Sequence, residues 1–252
     1  MIGELPYACH GGERAPVLVL GNSLGTTQAM WSPLLAELGD AVRALTFDLP
    51  GHVRAEASDF TFDDIVTAAI ALLDRLSLRD TVYCGVSLGG ALGVAVAARR
   101  PDLVRRLVVV NAPIRQPSAE FWYGRAEVAE RTGLEPFAST LADRWFEPGS
   151  DPDVVAAVTT AFRGIPPLGY AQACRAIARL DISDDAARVK AETEVVAGES
   201  DVAVGREHAV ELAAAIPGAA MRTVPGAHLL PADRAGDLAA LLSFAIDSRG
   251  AQ

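Results

Sequence analysis

The stretch Thr81-Val82-Tyr83-Cys84-Gly85-Val86-Ser87-Leu88-Gly89-Gly90-Ala91-Leu92 decides how the rest of this chain folds. Its first four residues predict a buried strand, and the small apolar residues after the glycine pair predict a buried helix. A serine on the tight turn between a strand and a helix is the nucleophile-elbow arrangement. Because that turn is strained, the neighbours of the serine must be small, and Gly85, Gly89 and Gly90 are. We therefore interpret Ser87 as a nucleophile.

Strands and helices alternate on either side of this stretch, at the spacing of a parallel sheet with helical crossover connections. Apolar strands are predicted at 15–20, 43–47, 81–84, 107–110, 194–197 and 221–224. Residues 5–10, followed by Gly11 and Gly12, predict an antiparallel hairpin with the first of these strands. The sequence therefore indicates an α/β fold with a mostly parallel central sheet and helices on both faces.

The alternation stops between about residues 117 and 188, where only helical segments broken by Gly and Pro are found. We interpret this part as a helical cap inserted into the sheet domain rather than as an independent module. Residues 1–113 and 189–252 are then predicted to form the core, and residues 114–188 the cap.

Composition limits the partners and the location. The formal net charge is −10 and no basic stripe is present, which argues against nucleic acid as a partner. An anionic substrate would for the same reason need arginines placed locally. We expect no membrane association, because no apolar run approaches the length of a membrane span, and the N-terminus does not resemble a secretory signal. The three cysteines lack metal-ligand spacing and are expected to be free thiols, so we expect a cytoplasmic protein without a bound metal.

A serine hydroxyl becomes a good nucleophile when a base takes its proton and a carboxylate holds that base. In folds with a nucleophile elbow, the acid and then the histidine follow the serine along the chain. His228 follows the last predicted strand, at the sheet edge where open α/β sheets gather their chemistry. His10 and His52 precede Ser87, and His208 falls inside a helical pattern, where a surface histidine is expected. We predict His228 as the base.

The acid is predicted in the loop after the next-to-last strand, which reads Gly198-Glu199-Ser200-Asp201. We choose Asp201, and Glu199 is the nearest alternative. Asp233 also lies close to His228 but comes after it in the chain. The other interpretation of Asp201, a carboxylate that only stabilises its turn, loses weight because an elbow serine and a strand-end histidine flank it in the required order.

Negative charge that develops on a substrate carbonyl oxygen needs hydrogen-bond donors. One is predicted to be the N–H of Leu88, directly after the nucleophile, and the second comes from the loop after the first buried strand. That loop spans residues 21–27, and within it Leu24 is the preferred donor. The alternative is that the loop is an ordinary strand-to-helix connection without a role in the reaction.

These segments resemble those of the 3-oxoadipate enol-lactonases, α/β-hydrolases of the β-ketoadipate pathway. The similarity is carried by the elbow and, more specifically, by Asn22-Ser23-Leu24-Gly25-Thr26, where most α/β-hydrolases have a His-Gly pair. In the cap it is carried by Phe121-Trp122-Tyr123-Gly124-Arg125, Arg144-Trp145-Phe146 and 169–177. The resemblance implies an α/β-hydrolase fold and hydrolysis of a small lactone without a metal or organic cofactor.

The resemblance also implies a substrate with an acetate arm, whose carboxylate needs a cation. We predict Arg125 for this role, with Trp122 and Trp145 shaping an apolar wall. The alternatives are that Arg125 pairs with Glu127 or another cap carboxylate, and that both tryptophans belong to the core. The turn at 50–53 departs from the family, because it ends in a valine where relatives have a glycine, and this predicts a shifted turn that reshapes one wall of the pocket.

Two rival functions stay open at this point. The first is another cofactor-independent carboxylesterase, lactonase or C–C bond hydrolase with the same triad, since cap pockets decide among these activities. The second is a ligand-binding protein on a hydrolase fold, which an intact set of Ser87, Asp201 and His228 disfavours.

Overall fold

The computed structural model describes residues 2–247 and arranges them around a seven-stranded sheet in the order β1-β3-β2-β4-β5-β6-β7. The strands are β1 (Tyr7–Gly11), β2 (Val17–Gly21), β3 (Arg43–Phe47), β4 (Thr81–Val86), β5 (Val104–Val110), β6 (Glu192–Gly198) and β7 (Ala220–Val224). All neighbouring strands are parallel except β1 and β3. The predicted α/β class and mostly parallel sheet are confirmed.

Eleven α-helices lie in the part of the chain that the structure describes. They are α1 (Ser32–Leu38), α2 (Phe62–Arg75), α3 (Leu88–Arg99), α4 (Ala119–Thr132), α5 (Glu135–Trp145), α6 (Pro152–Arg163), α7 (Pro167–Ile177), α8 (Ser183–Ala186), α9 (Arg206–Ala215), α10 (Leu230–Asp233) and α11 (Ala235–Asp247). No helix within residues 2–247 combines the length and the apolar character needed to cross a bilayer.

The predicted hairpin of the first two strands is wrong. β1 pairs antiparallel with β3, from Tyr7 opposite Phe47 to Gly11 opposite Arg43. β2 lies on the other side of β3 and runs parallel to both β3 and β4. The burial of the two strands explains the arrangement, because β2 is almost entirely buried whereas β1 is largely exposed. A buried apolar strand gains most from a partner on each side, so the more polar β1 takes the sheet edge.

The sheet order brings the predicted reactive segments to one edge. Each strand from β2 through β4, β5 and β6 to β7 runs parallel to the next one in the sheet. The carboxyl ends of these strands therefore lie on the same side. The loop with Leu24 follows β2, and Ser87 follows β4 directly. The loops with Asp201 and His228 follow β6 and β7. This is the edge where open α/β sheets bind ligands.

Helices α4 to α8 lie between β5 and β6, within the residues predicted to form the cap. The division of the chain at residues 114 and 188 stays a prediction. The helices pack through aromatic side chains, with Phe162 edge-to-face against both Trp145 and Tyr170 at ring-centroid distances of 5.9 and 5.5 Å. This cluster places one end of α5 beside α6 and α7.

The loop after β3 meets α7 backbone to backbone. Gly51 has a φ of +81°, and a Cβ atom at this position would lie 2.3 Å from the carbonyl oxygen of Gly169. A Cβ atom at Gly169 would lie 2.0 Å from the carbonyl oxygen of Gly51. Both residues therefore have to be glycine. Nearby, the side-chain amide of Gln172 accepts from the backbone N–H of Glu56 and donates to its carbonyl.

Candidate active site

Ser87 occupies the strained turn that its sequence predicts. Its φ of 55° and ψ of −116° lie outside the region that ordinary residues adopt. A Cβ atom at Gly85 would lie 2.2 Å from the carbonyl oxygen of Gly89, and one at Gly89 would lie 2.0 Å from that of Gly21. The elbow and the loop after β2 are thus packed backbone against backbone, which only glycine permits.

His228 and Asp201 form a buried hydrogen-bonded pair. His228 Nδ1 donates to Asp201 Oδ2 at 3.0 Å, which leaves Nε2 of the neutral imidazole as an acceptor. Asp201 Oδ1 accepts from the backbone N–H groups of Ala203 and Val204 at 2.7 and 3.2 Å. Burial by itself raises the pKa of Asp201, but the charge and hydrogen bond of His228 and the two backbone donors hold that pKa below its ordinary value. This carboxylate can therefore stabilise an imidazolium.

The two alternative acids lie elsewhere. Glu199 is exposed, and its backbone N–H donates to the carbonyl of Val224. Asp233 ends α10 and accepts a hydrogen bond from the hydroxyl of Ser150. Of the three candidates, the structure brings Asp201 to His228.

The second ring nitrogen of His228 contacts a serine that the sequence analysis did not single out. His228 Nε2 lies 3.3 Å from the hydroxyl oxygen of Ser23, and both residues are buried. Ser87 Oγ has no hydrogen-bond partner among residues 2–247, although Ser87, Ser23 and His228 line the same cavity. A motif in a loop does not show where each side chain points, so only the fold reveals the contact.

The loop that carries Leu24 is fixed by residues of the neighbouring loop. The N–H of Gly25 donates to Nε2 of His52 at 2.9 Å, while His52 Nδ1 donates to the carbonyl of Pro50 at 3.1 Å. Burial lowers the pKa of His52, so its ring stays neutral and can accept. His52 therefore stabilises this loop, in agreement with its predicted exclusion from the reaction.

A second set of bonds holds the same loop from the other side. Asn22 accepts from the indole N–H of Trp31 at 2.7 Å and donates to Asp48 at 3.4 Å. Asp48 also accepts from the backbone and the side-chain amide of Gln28. Within residues 2–247 the N–H of Leu24 has no acceptor, and the N–H of Leu88 belongs to the first turn of α3, where helix donors are free. Both predicted donors are thus available to an anion.

Asn111 joins the two loops that carry the acid and the base. It follows β5 with a φ of +49°, a conformation that asparagine adopts more readily than most residues. Its side-chain oxygen accepts from the N–H of Gly198 at 2.8 Å, and its amide nitrogen donates to the carbonyls of Ala227 and His228 at 3.0 and 2.9 Å. Sequence reasoning missed this role, although an asparagine directly after a buried strand is a signal for such a turn.

A cavity of about 370 Å³ lies between the sheet edge and the helices α4, α5 and α7. Every predicted site residue except Asp201 lines it, namely Leu24, Ser87, Leu88, Trp122, Arg125, Trp145 and His228. Residues 50–53 do not line it, so the prediction that this turn reshapes a pocket wall is wrong. The turn instead contacts α7 and the loop after β2, because its glycine and histidine face those segments.

Arg125 extends from α4 into this cavity without a carboxylate partner. Its Nε donates to the hydroxyl of Tyr170 at 2.6 Å, and its guanidinium lies 4.3 Å from the ring centroid of Phe137. No carboxylate of residues 2–247 lies within ion-pair distance, so the alternative of a pair with Glu127 is not observed. Burial raises the pKa of Tyr170, so the phenol stays protonated beside the guanidinium.

Two tryptophans and a second arginine also line the cavity. Trp145 is buried against Phe162 and Trp122 is half-buried against Phe121, so each tryptophan both packs and faces the cavity. Arg144 also lines the cavity and donates weakly to the carbonyl of Ala203 at 3.4 Å. Sequence analysis missed Arg144, because a helical pattern does not distinguish a cavity face from a solvent face.

His208 lies against the cavity rather than on the open surface, which corrects its predicted place. It is half-buried on α9, and its Nδ1 atom is buried with no hydrogen-bond partner in the described part of the chain. Among residues 2–247, no Asp or Glu side chain lines the cavity, although the protein as a whole is strongly acidic. An anion in the cavity would therefore meet two arginines and a histidine, and no carboxylate of the described residues would repel it.

Residues 2–247 contain no group of three His, Cys, Asp or Glu side chains placed to hold a metal ion. The three cysteines are unpaired, and burial raises the pKa of the Cys84 and Cys174 thiols. Cys84 lies in β4 and Cys174 in α7, and neither lines the cavity. The arrangement can thus support nucleophilic chemistry at a serine beside a histidine and a carboxylate.

Comparison with known proteins places this geometry in context. The model of the alpha/beta hydrolase family matches residues 8–241. The chain is 32% identical over 202 residues to 3-oxoadipate enol-lactonase 2 of Acinetobacter baylyi, which covers 78% of this chain and 76% of that protein. A second protein of the same organism, 3-oxoadipate enol-lactonase 1, is 31% identical over 205 residues, or 78% of this chain and 76% of that protein.

Solved structures give the same picture. The crystal structure of the enol-lactonase from Burkholderia xenovorans LB400 superimposes with a TM-score of 0.88 at 33% sequence identity and covers 95% of each chain. A hydrolase from Pseudomonas aeruginosa PA01 superimposes with a TM-score of 0.88 at 29% identity, over 95% of this chain and 93% of that one. The similarity spans the sheet and the helices over the cavity alike.

Proposed function

This chain belongs to the alpha/beta hydrolase family, and from that premise we propose that it opens the enol-lactone of 3-oxoadipate in the β-ketoadipate pathway of aromatic catabolism. The observation that carries the proposal is the cavity, which Ser87, His228, Arg125 and Arg144 line and to which the described part of the chain contributes no carboxylate. The named relatives support the same substrate. We also propose a cytoplasmic location, where unpaired cysteines stay reduced.

In the first half of the proposed reaction, His228 takes the hydroxyl proton of Ser87, and Ser87 Oγ attacks the lactone carbonyl. Asp201 stabilises the imidazolium through Nδ1, the nitrogen to which it is already bonded. The negative charge moves to the carbonyl oxygen, where the N–H groups of Leu24 and Leu88 receive it. The fixed loops around His52 and Asn111 hold these groups in place before substrate arrives.

In the second half, the ring opens when the bond from the carbonyl carbon to the ring oxygen breaks. As this bond breaks, the proton held by His228 passes to the leaving oxygen, so that His228 becomes neutral again. An enolate-type oxygen is a better leaving group than a simple alkoxide, and the enol so formed rearranges to a ketone. The acyl group stays on Ser87 until a water molecule, activated by His228, releases it as a carboxylic acid.

Recognition is assigned to the cap. Arg125 is held by Tyr170 and Phe137 and has no carboxylate partner among residues 2–247, so its charge is available to a carboxylate of the substrate. A charge-assisted hydrogen bond of this kind contributes about 1.5–3 kcal/mol. Trp122 and Trp145 supply the apolar wall, and a cavity of about 370 Å³ is of the size that small ligands occupy.

A substrate panel tests the proposal with Arg125→Gln and a matched control, Arg131→Gln, which removes an exposed arginine from the same helix. The panel contains the enol-lactone, a neutral p-nitrophenyl ester and a dienoic ring-fission product. We expect selective turnover of the enol-lactone, with KM raised about 10- to 100-fold in Arg125→Gln and unchanged in Arg131→Gln. The neutral ester should respond little to either change.

Four outcomes would contradict the proposal. Faster turnover of the ring-fission product would favour a C–C bond hydrolase of the same fold. An equal rise of KM on the neutral ester in Arg125→Gln would show that Arg125 does not bind the substrate carboxylate. Turnover that persists in Ser87→Ala would show that Ser87 is not the nucleophile. No turnover of any substrate by the unaltered protein would favour a binding protein with a retained set of polar residues.

A further inference from the structure

Ser23 places a second hydroxyl beside the base of the site. It lies in the loop after β2, is 2% exposed, and lines the cavity together with Ser87 and His228. Its Oγ atom lies 3.3 Å from His228 Nε2, the nitrogen that exchanges protons in the proposed reaction. We propose that the Ser23 hydroxyl carries the proton of His228 to the leaving-group oxygen of the substrate. This assignment rests on the proposed serine-hydrolase function.

The hydrogen-bond roles of the three groups fit a relay. Since His228 Nδ1 donates to Asp201, the neutral ring has only Nε2 as an acceptor, and the Ser23 hydroxyl donates to it. After Ser87 has been deprotonated, Nε2 carries a proton and becomes a donor. A hydroxyl can donate and accept at the same time, so Ser23 then accepts from Nε2 and turns its own proton into the cavity.

The backbone around Ser23 holds this hydroxyl next to the reacting carbon. The carbonyl of Ser23 accepts from both the N–H and the hydroxyl of Thr26, at 3.1 and 2.7 Å. The next residue, Leu24, supplies the N–H that receives the carbonyl oxygen in the proposed reaction. The leaving oxygen is bonded to the same carbon as that carbonyl oxygen, so a donor one residue before Leu24 is close to where it departs.

The step balances without any further reactant. When the tetrahedral intermediate collapses, the bond between carbon and the leaving oxygen breaks and its electron pair stays on that oxygen. The proton of Ser23 Oγ moves to this oxygen, and the proton on His228 Nε2 moves to Ser23 Oγ. The leaving group departs as a neutral enol or alcohol, Ser23 is restored, and His228 is neutral again and ready to activate water.

A leaving-group comparison tests the relay. The p-nitrophenyl and ethyl half-esters of adipic acid share one acyl group and one carboxylate but differ in the need for a proton, because p-nitrophenolate departs as a stable anion and ethoxide does not. We expect Ser23→Ala to lower kcat/KM about 10- to 100-fold on the ethyl ester and less than about threefold on the p-nitrophenyl ester. Ser23→Thr, which keeps a hydroxyl, should recover part of the lost rate.

Thr27→Val is the matched control, since it removes a hydroxyl from the same loop that bonds the N–H of Ala29 and contacts neither Ser23 nor His228. It should affect both esters equally, and unfolding curves should establish that each variant is folded. Equal losses of Ser23→Ala on both esters, or none, would overturn the relay while leaving serine hydrolysis intact. Failure of the unaltered protein to turn over either ester or the enol-lactone would overturn the proposed function and the relay with it.

Discussion

The sheet edge and the cap wall hold their functional side chains by different means. At the sheet edge, Ser87 and Leu24 lie on segments locked by the close approach of Gly89 to Gly21, and Asp201 is fixed by three hydrogen bonds. On the cap wall, Arg125 is held by one hydrogen bond and the face of an aromatic ring. The first set is fixed by backbone geometry, and the second by side chains that a substitution can replace.

This difference separates the reaction from the choice of substrate. A backbone-locked site performs the same attack on any carbonyl compound that reaches it. A wall of half-buried side chains can change its polarity and shape while the fold below stays intact. We therefore expect changes at the sheet edge to reduce turnover of every substrate, and changes on the cap wall to shift the preference among substrates.

The largest effect is expected from Asp201→Asn, which removes the charge and reverses the tautomer that His228 needs. kcat should fall by about 10⁴-fold on all substrates of the panel. If the sheet edge serves the reaction and not the choice of substrate, kcat should fall by similar factors on the lactone and on the ester. A loss of kcat on one substrate alone would contradict this contrast, because the sheet edge would then contribute to substrate preference.

The same variant gives a stability signature with a defined sign. The folded-state pKa of Asp201 is lowered, so its charged form stabilises the native state above the ordinary carboxyl pKa of about 4, and this stabilisation is lost as the pH falls through the folded-state value. The difference in unfolding free energy between the unaltered protein and Asp201→Asn should be constant near neutral pH. It should shrink below about pH 4 in urea titrations.

An intermediate effect is expected from Asn111→Ala, which strips the loops of Asp201 and His228 of their common partner. Buried groups left without hydrogen bonds cost about 1–3 kcal/mol, so the urea midpoint should fall. kcat should also fall by about 10- to 100-fold on every substrate as the pair loses its alignment. Asn111→Asp, which keeps the acceptor for Gly198 and loses both donors, serves as the graded control. Unchanged kcat in Asn111→Ala would contradict the positioning role.

The smallest effect on folding is expected from Trp122→Leu on the cap wall. Its side chain is half-buried and packs edge-to-face on an exposed phenylalanine, so unfolding free energy should change by less than about 1 kcal/mol. The ratio of enol-lactone to neutral-ester kcat/KM should nevertheless change. Trp145→Leu is the comparison variant, because that ring is buried and its loss should be more destabilising. A larger loss of unfolding free energy in Trp122→Leu than in Trp145→Leu would contradict the distinction between wall and core.

The sequence predicts best where a local backbone demand selects the residue. Gly85 and Gly89 of the elbow are such a case, since a Cβ atom at either position would lie within 2.2 Å of a backbone carbonyl oxygen. The order of Asp201 and His228 is predicted because each follows a parallel strand, and such strand ends share one edge.

Sequence reasoning failed where the answer depends on distant segments. The pairing of β1 was missed because β3, more than twenty residues further on, enters between the first two strands. Ser23, Asn111 and His208 were missed because a residue type in a loop or helix does not show which neighbour its side chain meets. Arg144 was quoted as part of a family pattern, but its place on the cavity wall follows only from how α5 packs.

The contact between Gly51 and Gly169 has a consequence for building new enzymes from this scaffold. One glycine lies in the loop after β3 and the other in α7, and the backbone carbonyl of each leaves no room for a side chain on the other. Helices taken from a relative to replace α4 to α8 would collide with Gly51 unless they carried a glycine at the position of Gly169. His52 follows Gly51 directly and bonds the loop of Leu24, so the collision would also displace that loop. An exchange of these helices therefore requires that the segments around Gly51 and Gly169 be replaced together.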